Sequence, residues 1–397
     1  MTEPLRLYLV AGEPSGDLIG GRLIAALRAL SPRPIELRGV GGPAMAAAGL
    51  DSLFPMDELS VMGVLEVVPR APALFRRMRQ VADAVTAFRP HALVTIDAPA
   101  FAFGVVRRLP DRSVPRIHYV APTVWAWRPW RVHKFRKNFD HLMTLLPFEP
   151  PYFERVGLPA TFVGHPILES AAGGGDGAAF RRRHGIDPAA RLVCVLPGSR
   201  RGEVDRLGAV LGASLARLAN AVPGLRVVVP TVPNVADRVA AMAAAWPGAP
   251  VLTHDEAEKY DAMAAADAAI AASGTVALEL AMAGVPPVIV YRVSAFTGLV
   301  VRMMVRVRYA NLVNLILDRM AVPELLQDRA RPEAIADTVA EILRVPARAG
   351  AIRQAQREAL AAIGAGDEAP SRQAARTVLR LAGLDLDGSA TDLAIDG

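Results

Sequence analysis

The sequence holds one cysteine, Cys194, which excludes a disulfide framework and any thiolate metal cluster. It lies in the apolar run Leu192–Leu196 and reads there as a small buried hydrophobe. Lysine is almost as scarce. Of the 45 Lys and Arg residues only Lys134, Lys137 and Lys259 are lysine. Long apolar runs are missing too: Arg, Asp or Pro interrupts each stretch before the ~18 residues that a membrane span requires. The first apolar run, Leu7–Ala11, is too short for a signal peptide and has no basic leader, so a cytoplasmic protein is expected. There is no HExxH, Walker A or G-x-S-x-G pattern. The 7 histidines show no metal-ligand spacing, and the one Asp-x-Asp, Asp385–Asp387, sits in the tail. No catalytic metal and no cofactor are therefore expected.

At 397 residues the chain exceeds what one hydrophobic core usually holds, so two domains are expected. An apolar fraction of 52% with 21% charged residues fits a folded globular protein and excludes a disordered or fibrous one. The balance of 45 basic against 39 acidic residues suits a polyanion, anionic lipid or a phosphorylated substrate. The arginine skew, with abundant Ala and Pro, fits GC-rich coding equally well.

Strand-like and helix-like segments alternate. Strands are expected at Leu5–Ala11, Ile35–Val40, Ala92–Ile96 and Arg116–Val120, with helices at Asp17–Leu30 and Met78–Phe88. The run Ala171–Ala179 is the best linker candidate. After it the pattern restarts, with strands at Leu192–Leu196, Leu225–Pro230, Ala268–Ala272 and Pro287–Tyr291 and helices at Glu203–Ala219, Val235–Ala245 and Val276–Ala283. Continuous apolar strands alternating with helices indicate parallel sheets covered on both faces. The chain therefore reads as two doubly wound α/β halves, residues 1–170 and 180–345. A tail after about Gly383 is expected to fray. In such sheets ligands bind at the carboxyl ends of strands.

Four motifs lie at such ends. Gly12-Glu13-Pro14-Ser15-Gly16-Asp17 is a glycine-bearing turn into a helix; it either faces a ligand, with Glu13 as an acceptor, or is a plain turn capped by Ser15 or Asp17. Asp97, held by an Ala98-Pro99 turn, is well placed for a general base or for turn formation. Gly198-Ser199-Arg200 and Ser273-Gly274-Thr275, with Glu279 one turn on, suit phosphate, and together suggest a nucleoside diphosphate; ordinary helix capping is the alternative. Two further segments mix apolar or aromatic residues with cations. Trp125, Trp127 and Arg128 head a cluster suited to single-stranded nucleic acid, a membrane interface, a phosphosugar or a half-buried helix. Val64, Leu65, Val67, Val68, Leu74 and Phe75, beside Arg76 and Arg77, fit either core or a surface that dips into anionic lipid.

Taken together these residues resemble the lipid-A-disaccharide synthases, bacterial glycosyltransferases. The resemblance rests on VAGEPSGD at 10–17, DELSVMGVLEVV at 57–68, TIDAPAF at 95–101, IHYVAPTVWAWR at 117–128, LPFEPPYF at 146–153, FVGHPILE at 162–169, LPGSRRGEV at 196–204, ASGTVALEL at 272–280, NLVN at 311–314 and VPELLQD at 322–328. It implies a GT-B architecture, two Rossmann-like domains facing a cleft, and metal-independent inverting transfer from UDP-2,3-diacylglucosamine to 2,3-diacylglucosamine 1-phosphate. It implies Asp97 as base, assisted by Glu13, and acceptor or glycine-loop roles for Ser15, Gly16, Asp17, Trp125, Trp127 and Arg128. The donor set would be Gly198, Ser199, Arg200, Ser273, Gly274, Thr275, Glu279 and Asn314. Peripheral attachment to the anionic inner face of the inner membrane, no nucleic-acid partner, and a homodimer formed by exchange of the C-terminal region are further implications. The final helix, about 348–382, is expected to pack on the N-terminal domain. The family usually has a second acidic residue after the Asp-Ala-Pro turn; this chain has Ala100. The rivals are another GT-B UDP-sugar enzyme, such as a peptidoglycan-precursor GlcNAc transferase or a UDP-sugar epimerase, and a non-enzymatic binder of polyanions or membranes.

Overall fold

The computed structural model describes residues 3–59, 64–126, 129–292, 308–364 and 368–384, without the side chains of 64–70. The described residues form two compact units. One comprises the chain up to Pro166 and again from Ile363; the other is Ile167–Ala362.

The first unit is built on a parallel sheet of β1 (Leu5–Ala11), β2 (Ile35–Val40), β3 (Asp51–Ser52), β4 (Ala92–Ile96), β5 (Arg116–Tyr119), β6 (His141–Thr144) and β7 (Ala160–Phe162). The strand order is β3-β2-β1-β4-β5-β6-β7. Leu5, Leu7, Leu9, Val94 and Ile96 are fully buried, as strands covered by helices on both faces require. The chain winds outward from β1 to β3, then returns to lay β4 on the other side of β1. That reversal opens a crevice at the carboxyl ends of β1 and β4.

The second unit repeats the plan with β8 (Leu192–Leu196), β9 (Arg226–Pro230), β10 (Val251–Thr253), β11 (Ala268–Ala272), β12 (Pro287–Tyr291) and β13 (Glu324–Leu326), in the order β10-β9-β8-β11-β12-β13. Its reversal lies between β8 and β11. All four strand-end motifs thus follow the two strands that flank a reversal: β1 and β4 in one unit, β8 and β11 in the other.

Three expectations change. The glycine run after Ala171 is not an extended linker: it holds a short 3-10 turn, Ala171–Gly173, and the start of the helix Gly177–Arg183. Its glycines permit close packing, since a Cβ on Gly175 would come 2.2 Å from the Tyr260 carbonyl oxygen and one on Gly177 2.5 Å from that of Ala264. β5 ends at Tyr119 because Val120 adopts a φ of 73°, which no strand accommodates. The expected final helix is two helices. Pro346–Ala362 belongs to the second unit, where Ile352, Ala355 and Ala359 are buried and the Gln356 amide donates to the Val285 carbonyl. Pro370 then starts a new helix, Pro370–Leu381, packed in the first unit against Pro14–Leu30. The tail beyond residue 384 lies outside the described residues.

Candidate active site

At the first reversal the turn after β1 lies directly against the turn after β4. A Cβ on Gly12 would stand 2.8 Å from the Ala98 Cβ, and one on Gly16 3.1 Å from the Ile96 carbonyl oxygen. Only glycine allows that approach. Across it the Ser15 hydroxyl donates to Asp97 Oδ2 at 3.0 Å, and the Ala98 amide donates to Asp97 Oδ1 at 2.9 Å. Glu13 is the residue preceding the helix Pro14–Leu30 and makes no capping hydrogen bond. Partial burial of its carboxyl, then the like charge of Asp97, hold its pKa above the usual carboxylate range. Glu13, Ser15 and Asp97 are therefore one electrostatically linked group. Ala100 is exposed one turn away.

The backbone around this group is strained. Asp97, Ala98 and Val120 have φ of 54°, 45° and 73°. Each left-handed non-glycine residue costs on the order of 1–3 kcal/mol and persists only where surrounding contacts over-determine it. Those contacts are visible: the Asp97 amide donates to the Tyr119 carbonyl, and the Val120 amide to that of Met143. The turn after β4 is thereby tied to the end of β5, and the turn after β5 to β6.

Asp17 does not join the group. Its buried carboxylate accepts from the amides of Gly42, Ala44 and Met45 at 2.8–3.0 Å and so caps the following helix, Pro43–Ala47. Neither reading of the turn as capped by Ser15 or Asp17 holds, because Ser15 turns to Asp97 and Asp17 to a helix 25 residues on. Trp125 is half-buried, and its indole donates to Glu149 Oε1 at 3.0 Å. Trp127 and Arg128 lie outside the described residues.

In the apolar segment the backbone forms one helix, Val64–Phe88. The side chains of Val64, Leu65, Val67 and Val68 lie outside the described ones. Leu74 is half-buried, whereas Phe75 is 56% exposed and Arg76 is exposed. Arg77 faces the protein instead: it pairs with both carboxylate oxygens of Glu58 at 2.7–2.8 Å and covers the Phe54 ring. The pair leaves no reason to count Arg77 among lipid-facing cations.

The second reversal holds a cavity of about 450 Å³ whose lining includes Gly198, Ser199, Arg200, Ser273, Thr275 and Glu279, with Gly274 among them. Gly198, at φ 111°, makes the turn out of β8 that only glycine takes readily. Glu203 reaches back and accepts from the amides of Ser199 and Arg200 at 3.2 and 3.3 Å, while the exposed Arg200 guanidinium lies 3.3 Å from its other oxygen. The same carboxylate thus caps the helix Arg201–Ala221 and sits where an anion would be held. The Ser273 hydroxyl donates to the Ala310 carbonyl. Glu279 pairs with Lys259 at 2.8 Å, and both line the cavity. Asn314 does not line it. Fully buried, its amide donates to Val322 and Glu324 and accepts from the amides of Ala321 and Val322, so its capacity is spent on folding that loop. Among the described residues no group of three or more His, Cys, Asp and Glu is placed to hold a metal ion, and no helix is long and apolar enough to cross a membrane.

The lipid-A-disaccharide synthetase family model matches residues 7–378. The lipid-A-disaccharide synthase of Rhodospirillum centenum is 53% identical over 381 residues, covering 96% of this chain and 95% of that protein. The chain belongs to this family. A lipid-A-disaccharide synthase of Pseudomonas aeruginosa is 42% identical, with 86% of this chain and 90% of that protein covered. Among solved structures, the UDP-GlcNAc 2-epimerase of Neisseria meningitidis bound to UDP-GlcNAc superposes with a TM-score of 0.61 at 12% identity, covering 95% of this chain and 99% of that one. A glycosyltransferase of Rickettsia africae superposes with a TM-score of 0.61 at 10% identity, covering 97% and 100%. These likenesses identify the chain as GT-B in fold.

Three residues of this synthase family member escape the sequence reading. Lys259 had a signal that could have found it, being one of three lysines. Glu203 stands at the end of a motif read for its phosphate-binding start. Glu149 leaves no signal beyond an acid flanked by Phe148 and Pro150.

Proposed function

We propose that the chain joins UDP-2,3-diacylglucosamine to 2,3-diacylglucosamine 1-phosphate, releasing UDP. As a member of its family it is a glycosyltransferase of lipid A disaccharide synthesis, acting on acylated glucosamine substrates. The observation that carries the finer reading is the Glu13–Ser15–Asp97 group at one sheet reversal of such a chain. Asp97 takes the proton of the attacking sugar hydroxyl, whose oxygen bonds to the anomeric carbon from the face opposite the leaving group. The bond to the diphosphate breaks, and UDP leaves with the electron pair. Ser15 and Ala98 hold the Asp97 carboxylate in one orientation; Glu13, with its raised pKa, contacts the acceptor or shares the proton.

The donor belongs to the 450 Å³ cavity of the second unit. Its diphosphate competes with Glu203 for the amides of Ser199 and Arg200 and for the Arg200 guanidinium. Ser273, Gly274 and Thr275 line the same cavity, and Glu279 is placed for ribose hydroxyls. Charge on the departing UDP is met by these donors and by Lys259, so the transfer proceeds without a metal. Incubation of the protein with both substrates in excess EDTA, followed by mass spectrometry, should give the disaccharide phosphate and UDP. No disaccharide, or activity restored only by Mg²⁺ or Mn²⁺, would count against this reading.

Arg200→Ala should weaken UDP affinity roughly 10–100-fold, the worth of a charge-assisted contact to phosphate. Its melting temperature should not move, since an exposed ion pair adds little to stability. Calorimetric titration with UDP reads the first quantity, and unchanged affinity sinks the assignment.

The membrane part of the proposal now rests on Phe75 and Arg76, with Leu74 behind them. Phe75→Ser with Arg76→Ser should lower binding to anionic vesicles by on the order of tenfold or more, from lost apolar burial and one lost cation. Melting temperature should be unaltered. Normal co-sedimentation would remove this helix from the lipid contact. Dimerisation by exchange of the C-terminal region belongs to the same proposal and is read by light scattering.

A further inference from the structure

Glu149 is a buried carboxylate for which the proposed chemistry has no use. It lies between β6 and β7, just before the short helix Pro150–Glu154, and is only 2% exposed. Its Oε2 accepts from the amides of Leu145 and Leu146 at 3.1 and 3.0 Å, in the turn that leaves β6. Its Oε1 accepts from the Trp125 indole at 3.0 Å, in the turn that leaves β5. The Trp125 ring also meets the Phe148 ring edge-on, with centroids 5.2 Å apart. β4, β5 and β6 are neighbours, so both turns stand at the sheet edge that carries Asp97.

The arrangement is expensive in a way that simple packing does not require. Burial pushes the Glu149 carboxyl up to about 7, against three hydrogen bonds that favour its ionised form. A neutral residue would fill the volume without that cost, but it could not accept from three donors on two different turns. Only a carboxylate, with acceptors on both oxygens, bridges them. The Trp125 turn also begins at Val120, the strained residue already tied to β6. Two independent links therefore hold this one turn.

We propose that Glu149 is a positioning residue that tethers the Trp125 turn to the β6 turn and so fixes the Trp125 ring at the carboxyl edge of the sheet that also carries Asp97, where it meets the glucosamine acceptor. This rests on the acceptor being handled by the first unit, as proposed above. Glu149 touches no substrate; it acts through Trp125.

The test uses the full chain with Glu149→Gln, Trp125→Phe and the double variant. In Glu149→Gln the side chain keeps a single acceptor oxygen, so either the indole or the two amides lose their partner. In Trp125→Phe an aromatic ring remains to meet Phe148 but donates nothing. Each single variant should raise the KM for the acylated acceptor roughly tenfold with UDP affinity unchanged. The double variant should be no worse than the worse single one, because both remove the same link. Additive losses, or a lowered melting temperature with an unchanged acceptor KM, would overturn the tether. Indole N–H resonances of Trp-labelled protein give a readout that needs no turnover. The signal lost in Trp125→Phe should shift in Glu149→Gln, and an unmoved signal refutes the link even if the substrates assigned above prove wrong.

Discussion

Replacing Asp97 with asparagine should lower kcat by roughly 10²–10⁴-fold, the usual cost of losing a positioned base. Asparagine is the informative substitute here. Asp97 sits at φ 54°, a region that Asn tolerates at least as well as Asp, so the turn survives. The Ala98 amide can still donate to the one carboxamide oxygen, and the Ser15 hydroxyl can turn to accept from the new NH2, so the side chain keeps its place. Alanine would mix loss of the base with loss of a residue suited to the left-handed region. UDP affinity and melting temperature should stay at wild-type values in Asp97→Asn. A near-normal kcat would make Asp97 a turn residue, and a matching loss in Glu13→Gln alone would move the base to that carboxyl.

Asp17→Ala should be the most damaging single change to stability in the loop, by about 3–5 kcal/mol. The carboxylate is 4% exposed and accepts three backbone amides. Removing it leaves those donors without a partner in a site too tight for easy hydration, each at about 1–3 kcal/mol. The melting temperature should fall by about 10 °C. Asp17→Asn, which retains one acceptor oxygen, should lose about half as much. If Asp17→Ala melts normally but is inactive, Asp17 belongs with the Asp97 group after all.

The contrast between Asp97 and Asp17 shows what the chain's own letters carry. Both are acids at the ends of the same pair of strands, and both occur in motifs of equal visibility. Their fates diverge because the partners of Asp17 are amides 25 to 28 residues away, and nothing local to Asp17 marks them. The structural partners of Asn314 are hidden from the sequence for the same reason: they stand beyond a turn whose path is not legible from NLVN alone. By contrast β1, β2, β4, β8, β11 and β12 are legible to the residue. Apart from β2, whose Glu36 and Arg38 interrupt a mostly half-buried strand, these are buried on both faces and leave near-continuous apolar runs flanked by breakers, a pattern that is local. β3 and β7 go unseen because two or three half-exposed residues at a sheet edge leave no such run. The positions of the four strand-end motifs follow from the strands, so their place at the two sheet reversals was legible even where the partners of single side chains were not.

The helix Pro370–Leu381 has a consequence for how the protein is made. Ala374, Ala375, Val378 and Leu379 are fully buried in one apolar cluster with Leu23, Ile24 and Leu27 of the helix Pro14–Leu30 and with strand residues as early as Leu5. The first unit therefore waits for a helix that follows the whole second unit along the chain to close its core. During synthesis the segment Ile167–Ala362 has all its own strands and helices to hand and is free to complete its fold first. The opening segment must meanwhile remain with one helix face bare. Nascent chains released before residue 370 should thus fail in the first unit alone, and a stop codon that spares every residue around Asp97 would still be expected to abolish the Glu13–Ser15–Asp97 arrangement.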